Sequence, residues 1–214
     1  MHTRIETLGR DEYIASIATI DDSQSRRFAD QALAWWDRHF SWSTQGCDVL
    51  VDEDDSHLCY IFSKTDRYNE YLTVYNLFTP QDERRNGYAQ ELLGLIVTRS
   101  LQHHVRRITF SSVSDSLDFY LALGFVFWGL NDIGDYYCDL PIPAQGLGGF
   151  EEMIRTLDVE GLIGKKLEKI YAKVHDNEIK LTPTQLLRYE NDRLKLGSKC
   201  SFETLSTLKE NSCT

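Results

Sequence analysis

Several features that would assign a chain quickly are missing here. The five cysteines, Cys47, Cys59, Cys138, Cys200 and Cys213, are odd in number and far apart, with no Cys-x-x-Cys pair. This excludes a recognisable disulfide scaffold or structural zinc site and leaves each as a small buried apolar side chain or a free thiol. No apolar run approaches the roughly 20 residues needed to cross a bilayer. The start, Met1-His2-Thr3-Arg4-Ile5-Glu6, lacks the apolar stretch of a signal peptide. The expectation is therefore a cytoplasmic protein with no membrane partner. There is no Gly-x-Ser-x-Gly elbow, which speaks against a serine hydrolase. Gly-x-Gly-x-x-Gly is also missing, and the glycine-bearing turn follows three or four strands instead of the first, which weakens a dinucleotide-binding reading. The six histidines are scattered. No His/Asp/Glu set has metal-ligand spacing, so no metal is expected, and the helix dipole accounts for His103-His104 at a helix end. Repeats and low-complexity tracts are absent too.

Positive charge is scarce in the first part of the chain. Residues 1–150 hold 12 Lys+Arg against 22 Asp+Glu, whereas residues 151–214 hold 11 of each, so the whole net charge of −10 belongs to the front. Lys64 is the only lysine before position 151, and all four tryptophans precede it. The shift places a boundary near Gly146-Leu147-Gly148-Gly149, dividing residues 1–145, an α/β domain, from a helical extension over 146–214. A chain of 214 residues suffices for one sizeable core with such an appendage. The acidic front argues against sequence-independent nucleic-acid binding, so no nucleic-acid partner is expected. It permits a cationic substrate.

Taken in order, Thr3 to Leu8 reads as a short edge strand and Arg10 to Ile20 as a helix, with apolar Tyr13, Ile14, Ile17 and Ala18 at helical spacing. Asp21-Asp22-Ser23 breaks it and caps a second helix carrying Phe28, Leu33, Ala34, Trp35, Trp36 and Phe40. Trp35 and Trp36 cannot share one narrow face; either one packs on the sheet while the other lines a groove or the appendage, or both are core. Cys47–Val51 and Leu58–Phe62 form a hairpin across the acidic turn Asp52 to His57. Tyr71 to Phe78, β-branched and aromatic, is a strand ended by Pro80. A helix runs from Asn86 or Gly87 to His103. Arg106 to Ser111 is the next strand, parallel to its predecessor because a helix intervenes. A short helix to Leu123, with Gly124 as C-cap, leads to strands Phe125–Trp128 and Asp135–Leu140. Beyond the linker Pro141 to Gly146, three helices are expected over Phe150–Leu157, Leu162–Lys173 and Leu181–Leu196, the last opened by Thr182 and Pro183. They are too short to stand alone and must pack on the core or on a partner subunit, as in a homodimer. Ser201 to Thr214 reads as a frayed helix or tail.

The organising stretch is Glu83-Arg84-Arg85-Asn86-Gly87-Tyr88-Ala89-Gln90-Glu91-Leu92-Leu93, between the strand Tyr71–Phe78 and the helix. A helix start presents backbone N–H groups without intrahelical partners and a partial positive charge, and so suits phosphate. Gly87 lets a ligand approach the backbone, Ala89 is the next smallest choice, and Arg84 and Arg85 supply charge and directed donors. Solvated arginines at an ordinary turn are the plain alternative.

The block Arg84-Arg85-Asn86-Gly87-Tyr88-Ala89 resembles the acyl-coenzyme A loop of the GNAT N-acetyltransferases: Arg or Gln, two free positions, Gly, one free position, Gly or Ala. Phe119-Tyr120-Leu121-Ala122-Leu123-Gly124-Phe125 is similar to the family's second signature, about 30 residues on. The resemblance covers roughly residues 3–140 and implies an α/β acyl-CoA N-acyltransferase (GNAT-like) fold, a mixed, mostly antiparallel sheet flanked by helices. It implies acetyl-CoA as cosubstrate, its diphosphate on the amides from Arg84 to Ala89 (Arg84, Arg85, Asn86, Gly87, Tyr88, Ala89) and its pantetheine arm along Leu77 and Phe78. Tyr120 takes the role of the acid that protonates the leaving thiolate. Two departures stand out: the link from Pro80 to Gly87 is one residue longer than usual, and the family's Asn before the tyrosine is absent at Val113-Ser114, leaving Ser112 or Ser114 as its replacement.

The resulting expectation is an acetyl-CoA-dependent N-acetyltransferase moving the acetyl group by direct transfer in a ternary complex to a primary amine, either a small molecule or a protein amino group. The acidic turns Asp52 to Asp55 and Asp21-Asp22 fall on one edge and suit a cationic acceptor, or are two solvated turns. A general base stays open among Asp82, Glu83, Asn76 and Tyr75. The alternatives are a weak or inactive coenzyme A-binding regulatory module, and a partner-binding protein working through its C-terminal helices.

Overall fold

The computed structural model describes residues 2–175, 181–192, 196 and 200–212. The chain divides into two compact units, Met1–Asp66 with Leu72–Gln102, and Arg67–Tyr71 with His103–Thr214. Among the described residues no helix is long and apolar enough to cross a membrane.

The first unit contains β1 (Arg4–Leu8), α1 (Arg10–Ile17), α2 (Ser23–His39), β2 (Cys47–Val51), β3 (His57–Asp66), β4 (Tyr71–Phe78) and α3 (Tyr88–Gln102). Its strands lie in the order β1-β2-β3-β4. β1 and β2 pair antiparallel with Arg4 opposite Val51, and β2 and β3 pair antiparallel with a register shift at Leu50/Val51. Every residue of β2 is buried, so both faces of the sheet are covered. Cys47, Val49 and Val51 join a core with Tyr13 and Ile17 of α1 and Ala29, Ala32 and Trp36 of α2. Asp48, out of phase with them, faces the other side, where Arg99 of α3 pairs with it. Asp22 is the cap of α2, its Oδ1 accepting from Ser25 N at 2.8 Å. The tryptophan pair divides: Trp36 is fully buried, while Trp35 is 38% exposed and lies against Tyr75, His39 and Phe40.

The second unit contains β5 (Arg107–Ser112), α4 (Leu117–Ala122), β6 (Gly129–Leu130), β7 (Tyr136–Pro141), α5 (Phe150–Thr156), α6 (Val159–Leu162), α7 (Lys165–His175), α8 (Pro183–Asp192) and α9 (Phe202–Ser212). β7 pairs antiparallel with β5 on one side and β6 on the other. The strand expected over Phe125–Trp128 does not form; the ladder is confined to Gly129–Leu130. Phe125 N turns back to Tyr120 O, and the Trp128 carbonyl accepts from Phe202 N at 2.7 Å. Phe125, Phe127 and Trp128 are nevertheless almost fully buried, so their apolarity reports the core and not a strand. The helix expected over Leu162–Lys173 begins only at Lys165, because Leu162 closes α6 and Ile163 takes an extended backbone (ψ 133°); a side chain at Gly164 would meet the Arg107 guanidinium. In the stretch expected as one helix over Leu181–Leu196, α8 ends at Asp192, and residues 193–195 lie outside the described residues, as does Cys213 of the terminal stretch.

The extension is fastened within this unit by buried polar groups. Asp139 on β7, with no exposed surface, accepts from Arg107 Nε at 3.0 Å, Tyr71 Oη at 3.2 Å and the Leu167 amide at 2.9 Å. Arg107 also donates to Leu162 O at 2.7 Å. Asp192 at the end of α8 accepts from Tyr136 Oη at 2.6 Å and Ser114 Oγ at 2.7 Å. Phe150, Leu162 and Leu167 are fully buried.

Candidate functional site

Within the first unit, the end of β4 faces α2. Tyr75 lies against Trp35 and Trp36 of α2, and Phe78 lies against Phe28 of the same helix. Residues three apart on this strand thus both meet α2, while β4 itself runs unbroken to Phe78. Asn76 Oδ1 is buried without a hydrogen-bond partner there. Leu77 is half-buried, and Phe78 is buried with its ring stacked on Tyr60 at 4.8 Å and 7°. The Phe78 carbonyl accepts from Cys59 Sγ at 3.3 Å, and burial pushes the Cys59 thiol up to about 12.

After Pro80 a single 3-10 turn, Gln81–Glu83, leads into the loop. Gln81 N donates to Ser25 Oγ at 3.1 Å and to Asp22 Oδ2 at 3.3 Å, tying the turn to the cap of α2. Arg84 Nε donates back to Thr79 O at 3.1 Å. Arg85 and Gly87 both take left-handed backbones, at φ 70° and 84°. α3 then starts at Tyr88, and its first backbone bond is Glu91 N to Gly87 O at 3.0 Å. The amides before Glu91 thus donate none within the helix. Arg84, Arg85, Asn86 and Gly87 are exposed, and Tyr88 and Ala89 partly so. A Cβ placed on Gly87 would meet nothing within 4 Å. An open amide turn at a helix start, flanked by two exposed guanidiniums, fits a diphosphate in charge and in space.

Tyr120 stands in the second unit, 8% exposed, with Phe110 at 4.5 Å, Phe119 at 5.0 Å and Phe125 at 6.0 Å between ring centroids. Of the two serines considered as replacements for the missing Asn, Ser112 Oγ donates to Val113 O at 3.0 Å, and Ser114 Oγ is committed to Asp192.

A cleft of about 440 Å³ opens in the first unit beside Pro80. Asp21 and Asp22 reach it from the turn between α1 and α2, Asp55 from the turn between β2 and β3, and Asp82 and Glu83 from the turn after β4. Three acidic turns distant in sequence therefore line one cavity. Asp22 is held below the usual carboxylate range by Ser25, chiefly through its hydroxyl and then its amide. Ser16, His57 and Tyr60 also line the cleft. Ser16 Oγ lies 2.5 Å from His57 Nδ1 and 2.6 Å from Tyr60 Oη. Burial pushes the Tyr60 hydroxyl up to about 12. Sequence reasoning missed all three, since nothing local links a serine in α1 to a histidine at the start of β3. Tyr75, considered above as a base, is turned to the aromatic face of α2, whereas Asp82 and Glu83 do line the cleft.

A family model described as an acetyltransferase (GNAT) domain matches residues 16–141. No curated protein matches the sequence. Among solved structures, a spermidine N-acetyltransferase SpeG F149G mutant from Vibrio cholerae is similar at TM-score 0.51 and 10% identity, covering 69% of this chain and 95% of that one. Ard1 from Thermoplasma volcanium is similar at TM-score 0.50 and 15% identity, over 67% of this chain and 99% of that one. The PaiA N-acetyltransferase from Thermoplasma acidophilum, in complex with coenzyme A, is similar at TM-score 0.50 and 14% identity, over 65% and 98%. At these identities the likeness concerns the fold.

Proposed function

The chain belongs to the GNAT acetyltransferase family, and from that premise we propose that it is an N-acetyltransferase moving an acetyl group from acetyl-CoA to a primary amine by direct transfer in a ternary complex. The observation that carries this reading is the open turn at Gly87, a left-handed glycine with nothing within 4 Å of its missing side chain. The Arg84 amide, expected to join this cradle, already donates to Gln81 O at 3.3 Å, so the amides from Arg85 to Ala89, with the Arg84 and Arg85 guanidiniums, would hold the diphosphate. The end of β4 at Leu77 and Phe78 would lie along the pantetheine arm, and the partnerless Asn76 Oδ1 supports a ligand donor there. Bound acetyl-CoA would supply an activated acyl group whose carbonyl is open to a neutral amine. The chain's part is to hold acceptor and thioester together, to offer a backbone N–H to developing negative charge, and to protonate the leaving thiolate from Tyr120. The acceptor is a small molecule or a protein amino group, and the carboxylates of the cleft support one that is positively charged.

Titration calorimetry and thermal shift with acetyl-CoA test this directly. The wild-type protein should bind and be stabilised, and Gly87→Glu should lose the response by at least about a hundredfold in Kd, since each tenfold is about 1.4 kcal/mol. An equal response in the two proteins would remove the site.

A further inference from the structure

At the cleft of the first unit, three side chains from two elements form one hydrogen-bonded chain. His57 opens β3, Ser16 lies in the last turn of α1, and Tyr60 lies further along β3. Ser16 Oγ is 2.5 Å from His57 Nδ1 and 2.6 Å from Tyr60 Oη. Ser16 and Tyr60 are buried, and His57 is half-buried at the cleft wall. The Tyr60 ring stacks on Phe78, the last residue of β4. The chain therefore runs from the cleft to the strand end that precedes the amide turn. With Nδ1–H donating to Ser16, the imidazole keeps its Nε2 lone pair for a proton.

A primary alkylamine near neutral pH is mostly an ammonium ion and cannot attack a carbonyl until it loses a proton. Imidazole is the ordinary side chain fitted to take one at that pH. We propose that His57 is the catalytic base for a primary alkylammonium acceptor in this cleft, with Ser16 and Tyr60 as positioning residues. This rests on the acetyltransferase reading. One proton passes from the ammonium to His57 and on to solvent. The freed nitrogen forms the C–N bond as the thioester C–S bond breaks, and the nitrogen's second proton ends on the leaving thiolate. Ammonium and thioester thus give amide, thiol and one proton. The charged and titratable groups that face the same space are Asp21 and Asp22, Asp55, Tyr60, Asp82 and Glu83. Asp55 is already paired with the Arg4 guanidinium, and the other four carboxylates complement the positive charge as it moves from acceptor to ring, but a carboxylate is too weak a base to take that proton efficiently.

The test uses 1,4-diaminobutane and, separately, a lysine-containing peptide, the two sources of a primary alkylammonium. Coenzyme A release is followed across neutral to alkaline pH in wild type and His57→Gln. The variant should keep acetyl-CoA binding and lose about a hundredfold in kcat/KM near neutral pH. That loss should shrink as rising pH deprotonates the amine without help. Without acetyl-CoA, the His57 ring proton resonance, identified by its absence in the variant, should move when the accepted amine is added. Whichever acceptor releases thiol identifies the source. A loss that does not vary with pH, a variant as active as wild type, an unmoved resonance, or no thiol release with either acceptor while acetyl-CoA binds overturns the assignment. If His57→Gln does not fold, Ser16→Ala replaces it, with a loss of about tenfold and the same pH shape; a flat profile there is equally fatal. Failure of wild type to bind acetyl-CoA would fall on the family function, and the resonance shift would still decide His57.

Discussion

Gly87 in the first unit and Gly124 in the second share a left-handed backbone, at φ 84° and 82°, in opposite surroundings. A Cβ on Gly124 would lie 2.6 Å from the Glu151 amide nitrogen, whereas one on Gly87 would meet nothing within 4 Å. Elsewhere in the second unit, Gly129 is crowded by Phe202 and Gly134 by Gln185. There the C-terminal helices occupy the space that glycine leaves, and close packing inside the unit explains the residue. At Gly87 the chain supplies no occupant, and the open space is the expected mark of a ligand. The units differ in their acids as well. Asp139 in the second is sealed and answered by three donors, while five carboxylates of the first, unlike its buried Asp48, line an open cleft. The same residue type is thus closed in by its own unit in one place and left open to solvent in the other.

The largest expected effect breaks the sealed side. Arg107→Met leaves Asp139 buried beside a lost cation and should cost about 3–5 kcal/mol in urea unfolding; a loss below about 1 kcal/mol, the range of a surface pair, would show that the cluster is not closed. Next comes the glycine pair itself. Gly124→Ala adds overpacking to left-handed strain and should cost about 2–4 kcal/mol, against about 1–2 kcal/mol for Gly87→Ala, which carries the strain alone. Equal costs, read from denaturant midpoints, would erase the contrast between filled and open glycines. Tyr120→Phe should lower turnover by no more than about tenfold, because a phenol is a weaker acid than a thiol and gives little driving force for protonating a thiolate. A steady-state assay showing abolition would mean that the hydroxyl does more than donate one proton.

The smallest effect concerns Asp22, which joins the cap of α2 to Gln81 at the loop. Its folded carboxyl lies below the usual range, so its contribution is present above the unfolded value of about 3.9 and is lost as pH falls through the lower, folded value. Melting temperatures of wild type and Asp22→Ala should differ at neutral pH and converge in acid. A gap that persists in acid would mean that the carboxylate's charge is not what holds the cap.

The junction between β4 and α3 was legible in sequence because its signals are local: a β-branched run, Pro80, then Gly87 ahead of a helical period. β2 and β4 fall on the residues expected for the same reason. Phe125–Trp128 misled because burial of aromatic side chains looks the same in a strand and in a buried coil, and the Trp128 carbonyl is claimed by Phe202 from far along the chain. Arg107 gave no local sign of its partner, which is Asp139 on β7. His57 carried no signal at all, since it stands between an acidic turn and an apolar strand and its hydrogen-bond partner is Ser16 of α1.

Sequence by itself determined the order of the elements, the amide turn and the family resemblance, because periodicity, turn chemistry and short motifs act over a few residues. Only the tertiary structure decided which acids are sealed and which line a cleft, which glycine is crowded and which stands open, and that Ser16, His57 and Tyr60 meet. Those outcomes depend on contacts between residues distant along the chain, which no local pattern encodes.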